Sequence, residues 1–154
     1  MSMNAPKADA NLATKALEVS GNIISEITKN LAGLCKEKNS ISVTKMDENQ
    51  LVAYGISWLT AEQKVAENFL KYAWNDQIGT SELEKQMAVT FAAETVSHIR
   101  NEIISRPTEY AIPSEKVLSV LFSTEVSSFI EEFSKISNYS FIASKIIEKG
   151  HAGV

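Results

Sequence analysis

Several residue types are scarce in this sequence, and each scarcity excludes something. Cysteine occurs once, at Cys35, so no disulfide can form within the chain. Six glycines and three prolines among 154 residues fall well below the roughly 12% of an average domain. So little turn material argues against an all-β fold. No apolar run approaches the ~20 residues that a membrane-spanning helix needs. The opening MSMNAPKADAN has no apolar core of the kind a secretion signal carries, and it reads as a polar lead-in. Lysine and arginine total 15 against 19 aspartates and glutamates, a net charge of −4, and no basic block stands out. Nucleic-acid binding rests on a concentrated basic patch and is disfavoured. What is present is ordinary for a globular domain, with 44% hydrophobic and 22% charged residues. A chain of this length buries about 68–70% of its unfolded surface, so it folds without a disulfide or a metal. We therefore expect a soluble, helical, cytoplasmic protein with no membrane span.

The apolar pattern sorts into four helical segments. Leu12, Ala16, Val19, Ile23, Ile27, Leu31 and Leu34 recur at spacings of three and four, predicting a helix from Leu12 to Cys35 with Asp9 or Asn11 as N-cap. Lys36 to Met46 is polar and reads as a loop. Asp47 is the expected N-cap of a second helix reaching about Gln77, with Val52, Ile56, Leu59, Ala66, Leu70 and Ala73 inward and Gly79 as a stop. Ser81-Glu82-Leu83-Glu84 is a capping box that opens a third helix, and Arg106-Pro107 closes it. Ser114 is the expected cap of a fourth segment with a phenylalanine-rich stripe, Phe122, Phe129 and Phe133. That segment runs to Glu148 or breaks at Ser137–Ser140, leaving a short fifth helix over Phe141–Glu148. Short connections favour antiparallel neighbours. The expectation is all-α: an up-down-up-down four-helix bundle over residues 12–148, with a disordered lead-in at 1–11 and a frayed tail at 149–154.

Little in the sequence carries chemistry. A di-iron bundle needs Glu-x-x-His elements on two helices; His98 follows no glutamate at that spacing, and His151, after Glu148 in the terminal tail, supplies one such element at most. No phosphate loop, nucleophile elbow or metal cluster is present. Glu94 and His98, four apart, can touch on one helix face. They form either an acid/base pair oriented by its carboxylate or, as the default, a helix-stabilising ion pair. Glu62 and Gln63 interrupt the apolar face of the second helix, at a polar cavity or, by default, at a solvent-facing rim. Trp58, Tyr72 and Trp74 can stack on a planar ligand or fill the core.

Gln50-Leu51-Val52-Ala53-Tyr54-Gly55-Ile56-Ser57-Trp58-Leu59 resembles a stretch in the helical N-terminal extension of acyl-CoA dehydrogenases of the methylsuccinyl-CoA dehydrogenase type. Gln50, Gly55 and Trp58 carry the likeness. Tyr72-Ala73-Trp74 and Glu82 to Glu84 fall where that extension has similar features, so it spans about Leu12 to Tyr110. In that family a flavin-binding body with a catalytic glutamate follows. Here Glu102 to Tyr110 reads EIISRPTEY where the family turns glycine-rich, so no flavin-binding or catalytic residue carries over. The resemblance implies a non-catalytic module that packs against a dehydrogenase body or self-associates near an acyl-CoA site. It also implies FAD only in that partner body, with no cofactor or metal on this chain alone. The alternative is an independent small-molecule-binding bundle with Gly55, Trp58 and Glu62 near a cavity; a third reading is an enzyme centred on Glu94 and His98. The module reading predicts leftover apolar surface on the fourth segment, and places Gly55 and Trp58 against one common neighbour.

Overall fold

The computed structural model describes residues 7–150. Three long helices make its frame: α1 (Lys7–Leu34), α3 (Gln50–Ala73) and α4 (Glu82–Ser105). Between α1 and α3 lie a two-residue antiparallel ladder, β1 (Lys36–Glu37) with β2 (Ser40–Ile41), and the short α2 (Val43–Glu48). After α4 come α5 (Ser114–Leu121), α6 (Thr124–Phe133) and α7 (Ile136–Glu148). The all-helical expectation holds, with this small ladder as the strand content among the described residues. Its finer form differs, because the fourth position of the bundle is filled by three short helices.

Several boundaries move. Lys7 to Asn11 belong to α1, so Asp9 and Asn11 sit inside the helix and cap nothing. The rest of the expected lead-in and residues 151–154, His151 among them, lie outside the described residues. Asp47 lies within α2; the joint to α3 is Asn49, whose backbone N–H and side-chain Nδ2 both donate to the Lys45 carbonyl and end α2 there. α3 stops at Ala73, four residues before the expected end at Gln77, and Gly79 takes a left-handed φ of 66° in the loop beyond. Ser114 is already helical and Pro113 occupies the cap position. The fourth segment breaks at Ser123, whose Oγ accepts from the Val126 amide, and again at Ser134–Lys135. The expected break at Ser137–Ser140 falls inside α7. Asn138, buried there, donates its Nδ2 to the Glu132 carbonyl at 2.9 Å and ties α7 back to α6.

Two motifs fall where they were read. Ser81 N–H donates to Glu84 Oε2 at 2.8 Å, closing the capping box of α4. Arg106 ends that helix, as the residue before a proline does.

α4 is the centre of the fold. It packs against α1, α3, α5, α6 and α7, which is why its buried residues (Ala88, Val89, Ala92, Ala93, Val96, Ile99) cover a wide arc instead of a stripe. Its alanines let α1 and α6 approach closely around Leu17, Leu70, Phe129 and Phe133. At the other end Ile23, Ile27, Leu59, Ile99, Tyr110 and Leu121 form a second cluster. Each large side chain buried in this way contributes about 1.5–3 kcal/mol. The linker after α4 is part of the core: Tyr110 and Ile112 are buried, and Ala111, at φ 50°, offers its carbonyl to Asn30 Nδ2 at 2.8 Å. One arc of α4 stays uncovered between α3 and α7, with Met87 and Phe91 half-buried and Glu94 and His98 exposed.

Candidate functional site

The candidate residues separate into three places. His98 and Glu62 meet across the α3–α4 interface, Nδ1 to Oε2, at 2.7 Å. The expected Glu94–His98 pair is not formed. Glu94 instead accepts from the Tyr139 hydroxyl of α7 at 2.8 Å, so each residue of the uncovered arc leans to the flanking helix on its own side. Burial, followed by the bond to Glu94, pushes the Tyr139 hydroxyl above its ordinary pKa. His98 and Glu94 are both exposed, and neither lines the cleft that α1 and α3 leave between them. An ion pair with an exposed imidazole is worth under ~1 kcal/mol. His98→Ala is therefore expected to change the unfolding free energy, read from urea denaturation, by less than that amount.

Gly55 faces the α4–α5 linker, whereas Trp58 is largely exposed. Three residues of helix turn a side chain by about 60° from its starting direction. That turn leaves Gly55 at the α4-side edge of α3 and Trp58 in solvent. A Cβ added at Gly55 would lie 2.7 Å from the Tyr110 hydroxyl oxygen, so the glycine admits a close approach, but of a residue from the α4–α5 linker. Tyr110 donates onward to Glu102 Oε1 at 2.9 Å, and Arg106 pairs with the same carboxylate. Burial raises the pKa of the Tyr110 hydroxyl. Trp58 is exposed, and Trp58→Ala should leave stability within ~0.5 kcal/mol of the native chain.

Gln63, expected on a rim, is buried at 2% exposure between α3 and α1. Its Oε1 accepts from Ser20 Oγ at 2.8 Å, and its Nε2 donates to the Leu17 carbonyl at 2.6 Å and to Glu67 Oε1 at 3.1 Å. Gly21 makes room for it: a Cβ there would sit 3.1 Å from Nε2. A mid-helix glycine opposite an amide that breaks an apolar stripe was the available signal. Burial opposes ionisation of Glu67, but hydrogen bonds from Lys64 and Gln63 and the charges of Lys64 and Lys71 hold its carboxyl below the usual range. Above this network, α1 and α3 leave a cleft of about 450 Å³ lined by Thr14, Leu17, Glu18, Glu67, Leu70 and Trp74.

Apolar surface is left over on the fourth segment, at Leu118, Ile136, Tyr139, Ile146 and Ile147, although its phenylalanine stripe is mostly covered. Breaking into three helices lets that segment wrap α4 and bury Phe129 and Phe133. A second set lies on α3, where Leu51 (85% exposed), Tyr54 (68%), Trp58 (59%), Val65 (56%) and Tyr72 (43%) face outward.

No group of three or more His, Cys, Asp or Glu side chains placed to hold a metal occurs among the described residues. Cys35 is buried, with its thiol toward the Lys45 carbonyl at 3.7 Å. No described helix is long and apolar enough to cross a membrane. No family model, curated protein or solved structure matches this chain.

Proposed function

We propose that this chain is a non-catalytic helical module that works by association, its contact surface being the outward face of α3. The observation that carries this reading is the double-sided character of that helix. One face packs Ile56, Leu59, Ala66 and Leu70 into the core, and a second row of large apolar side chains runs along the face turned to solvent. Contiguous exposed apolar surface of this extent marks an interaction site. The acyl-CoA dehydrogenase system enters through the resemblance of Gln50–Leu59: within that segment Tyr54 and Trp58 are exposed and free to meet a dehydrogenase body. The flavin belongs to that body, and the purified chain is expected to be colourless.

The test is a titration of the chain with a flavoprotein dehydrogenase body that lacks a helical extension, monitored by isothermal titration calorimetry. Saturable binding that Trp58→Glu abolishes is the expected result. Absence of binding by the native chain would remove the dehydrogenase from the proposal.

The cleft between α1 and α3 favours a second reading, a small-molecule site. Its apolar wall of Leu17, Leu70 and Trp74 suits a planar group, and Glu18 and Glu67 outnumber Lys71 among its charged lining residues, a balance that disfavours phosphates. A neutral or cationic ligand fits it better than coenzyme A.

A further inference from the structure

We infer that the occupant of the outward α3 face is a second copy of this chain, docked antiparallel. This rests on the association reading and names its partner. Leu51, Tyr54, Trp58, Ala61, Val65 and, beyond Asn68, Tyr72 follow one another at alternating spacings of three and four. That heptad alternation keeps a row of side chains facing one partner helix along its whole length. The row spans about 32 Å of helix. None of its positions is charged, and two ionisable groups beside it have partners within the chain: Glu62 Oε2 lies 2.7 Å from His98 Nδ1 on one flank, and Lys64 pairs with Glu67 at 2.7 Å on the other.

The row also complements itself. A two-fold axis between Trp58 and Ala61 lays the indole of one copy over the small Ala61 of the other, and Tyr54 over Val65. A parallel pair would instead oppose Trp58 to Trp58 and alanine to alanine, leaving one layer crowded and the next one empty. Close packing favours the first arrangement, and the same patch on both copies closes the assembly at two. In this register Tyr72 projects past the start of the partner's α3, so four large residues offer on the order of 500 Å² per copy from ordinary side-chain sizes and the exposures above. Two copies bury on the order of 1,000 Å², below the standard size of a stable interface, so the dimer is weak and reversible.

Sedimentation equilibrium of the full chain, from about 1 to about 500 µM, reads this directly. The native chain should pass reversibly from monomer to dimer, and Trp58→Glu should weaken dimerisation about tenfold or more with unchanged circular dichroism. An equimolar mixture of Trp58→Glu and Ala61→Lys chains should associate more tightly than Trp58→Glu alone, because only the antiparallel register brings the two new charges together. A native chain monomeric throughout, a dimer indifferent to Trp58→Glu, or a mixture no tighter than Trp58→Glu alone would each overturn the inference. If the native chain is monomeric yet binds the dehydrogenase body through Trp58, the second copy falls and the association reading stands. If it is monomeric and binds nothing through this face, both fall.

Discussion

Gln63→Glu is expected to cost this protein about 3–4 kcal/mol at pH 7 and much less near pH 4. The amide at position 63 is 2% exposed, and its Nε2 faces two acceptors, the Leu17 carbonyl and Glu67 Oε1. A carboxylate there would be desolvated, would oppose a carbonyl it cannot bond, and would lie beside the charge of Glu67. Protonation limits the damage, because a buried acid neutralises before it endures the full desolvation cost. Raising a glutamate from its unperturbed ~4.3 past 7 takes about 2.7 units at ~1.36 kcal/mol each, which sets the figure. The protonated acid is a fair substitute for the amide: its O–H can donate to the Leu17 carbonyl while its other oxygen accepts from Ser20. The folded pKa of the new group is thus raised. Its penalty is absent below the unfolded value near 4.3 and grows as pH rises toward the folded value. Urea midpoints of native and variant chains at both pH values check the sign. Gln63→Met is the control: it leaves the Leu17 carbonyl with Ser20 as its side-chain donor, and should cost about 1–2 kcal/mol at either pH. A Gln63→Glu chain as stable as the native one at pH 7 would mean that the network opens to solvent.

The capping box at Ser81–Glu84 and the stop at Arg106-Pro107 were legible because they are local: each needs only residues within a turn of itself. The inner faces of α1 and α3 were legible for the same reason, since a stripe at spacings of three and four fixes its own direction. The breaks in the fourth segment left no such mark. Neither glycine nor proline stands at Ser123 or Ser134, and serine is common on helices; what makes Ser123 a cap is its bond to the Val126 amide, which forms only once α6 has turned to cover α4. Asn138 shows the same dependence, since its role at the joint exists only with the Glu132 carbonyl in reach.

The site was legible as a set of residues but not as a set of contacts. Glu62 and His98 were both singled out, yet their bond spans 36 positions of sequence, and the helix-local partner Glu94 looked equally suited to His98. The outward row on α3 was visible in part, as the aromatics Trp58 and Tyr72. It looked like core, because apolar residues at helical spacing normally are. That α3 carries apolar residues on two faces follows from where the chain places α5, α6 and α7. All three pack on α4, and Trp58 stays exposed on its side of α3.

Gly55→Ala separates the internal from the external face of α3. The substitution raises helix propensity by about 1 kcal/mol. Opposing it, the new methyl lies 2.7 Å from the Tyr110 hydroxyl oxygen, closer than real contacts permit. The ring has little room to yield: Tyr110 is 2% exposed, and its hydroxyl is held by Glu102 at 2.9 Å. Overpacking of this kind costs about 1–3 kcal/mol, and displacing the hydroxyl removes a charge-assisted bond worth about 1.5–3 kcal/mol. The clash is relieved by one route or the other, so net destabilisation of up to about 2 kcal/mol is the expected result once the propensity gain is subtracted. A second substitution identifies the cause. Tyr110→Phe removes the clashing atom and leaves the ring carbon beneath it 3.6 Å from the new methyl, an ordinary contact. Alone it should cost about 1–3 kcal/mol for the lost bond. Combined with Gly55→Ala it should cost no more than it does alone, because the contact and its penalty disappear together and the propensity gain remains. The coupling in that double-mutant cycle, about 1–3 kcal/mol in favour of the pair, reads the Gly55–Tyr110 approach directly. Additive losses would place the strain elsewhere in α3, and a stabilised Gly55→Ala chain would show that the linker holding Tyr110 does not rest on this helix.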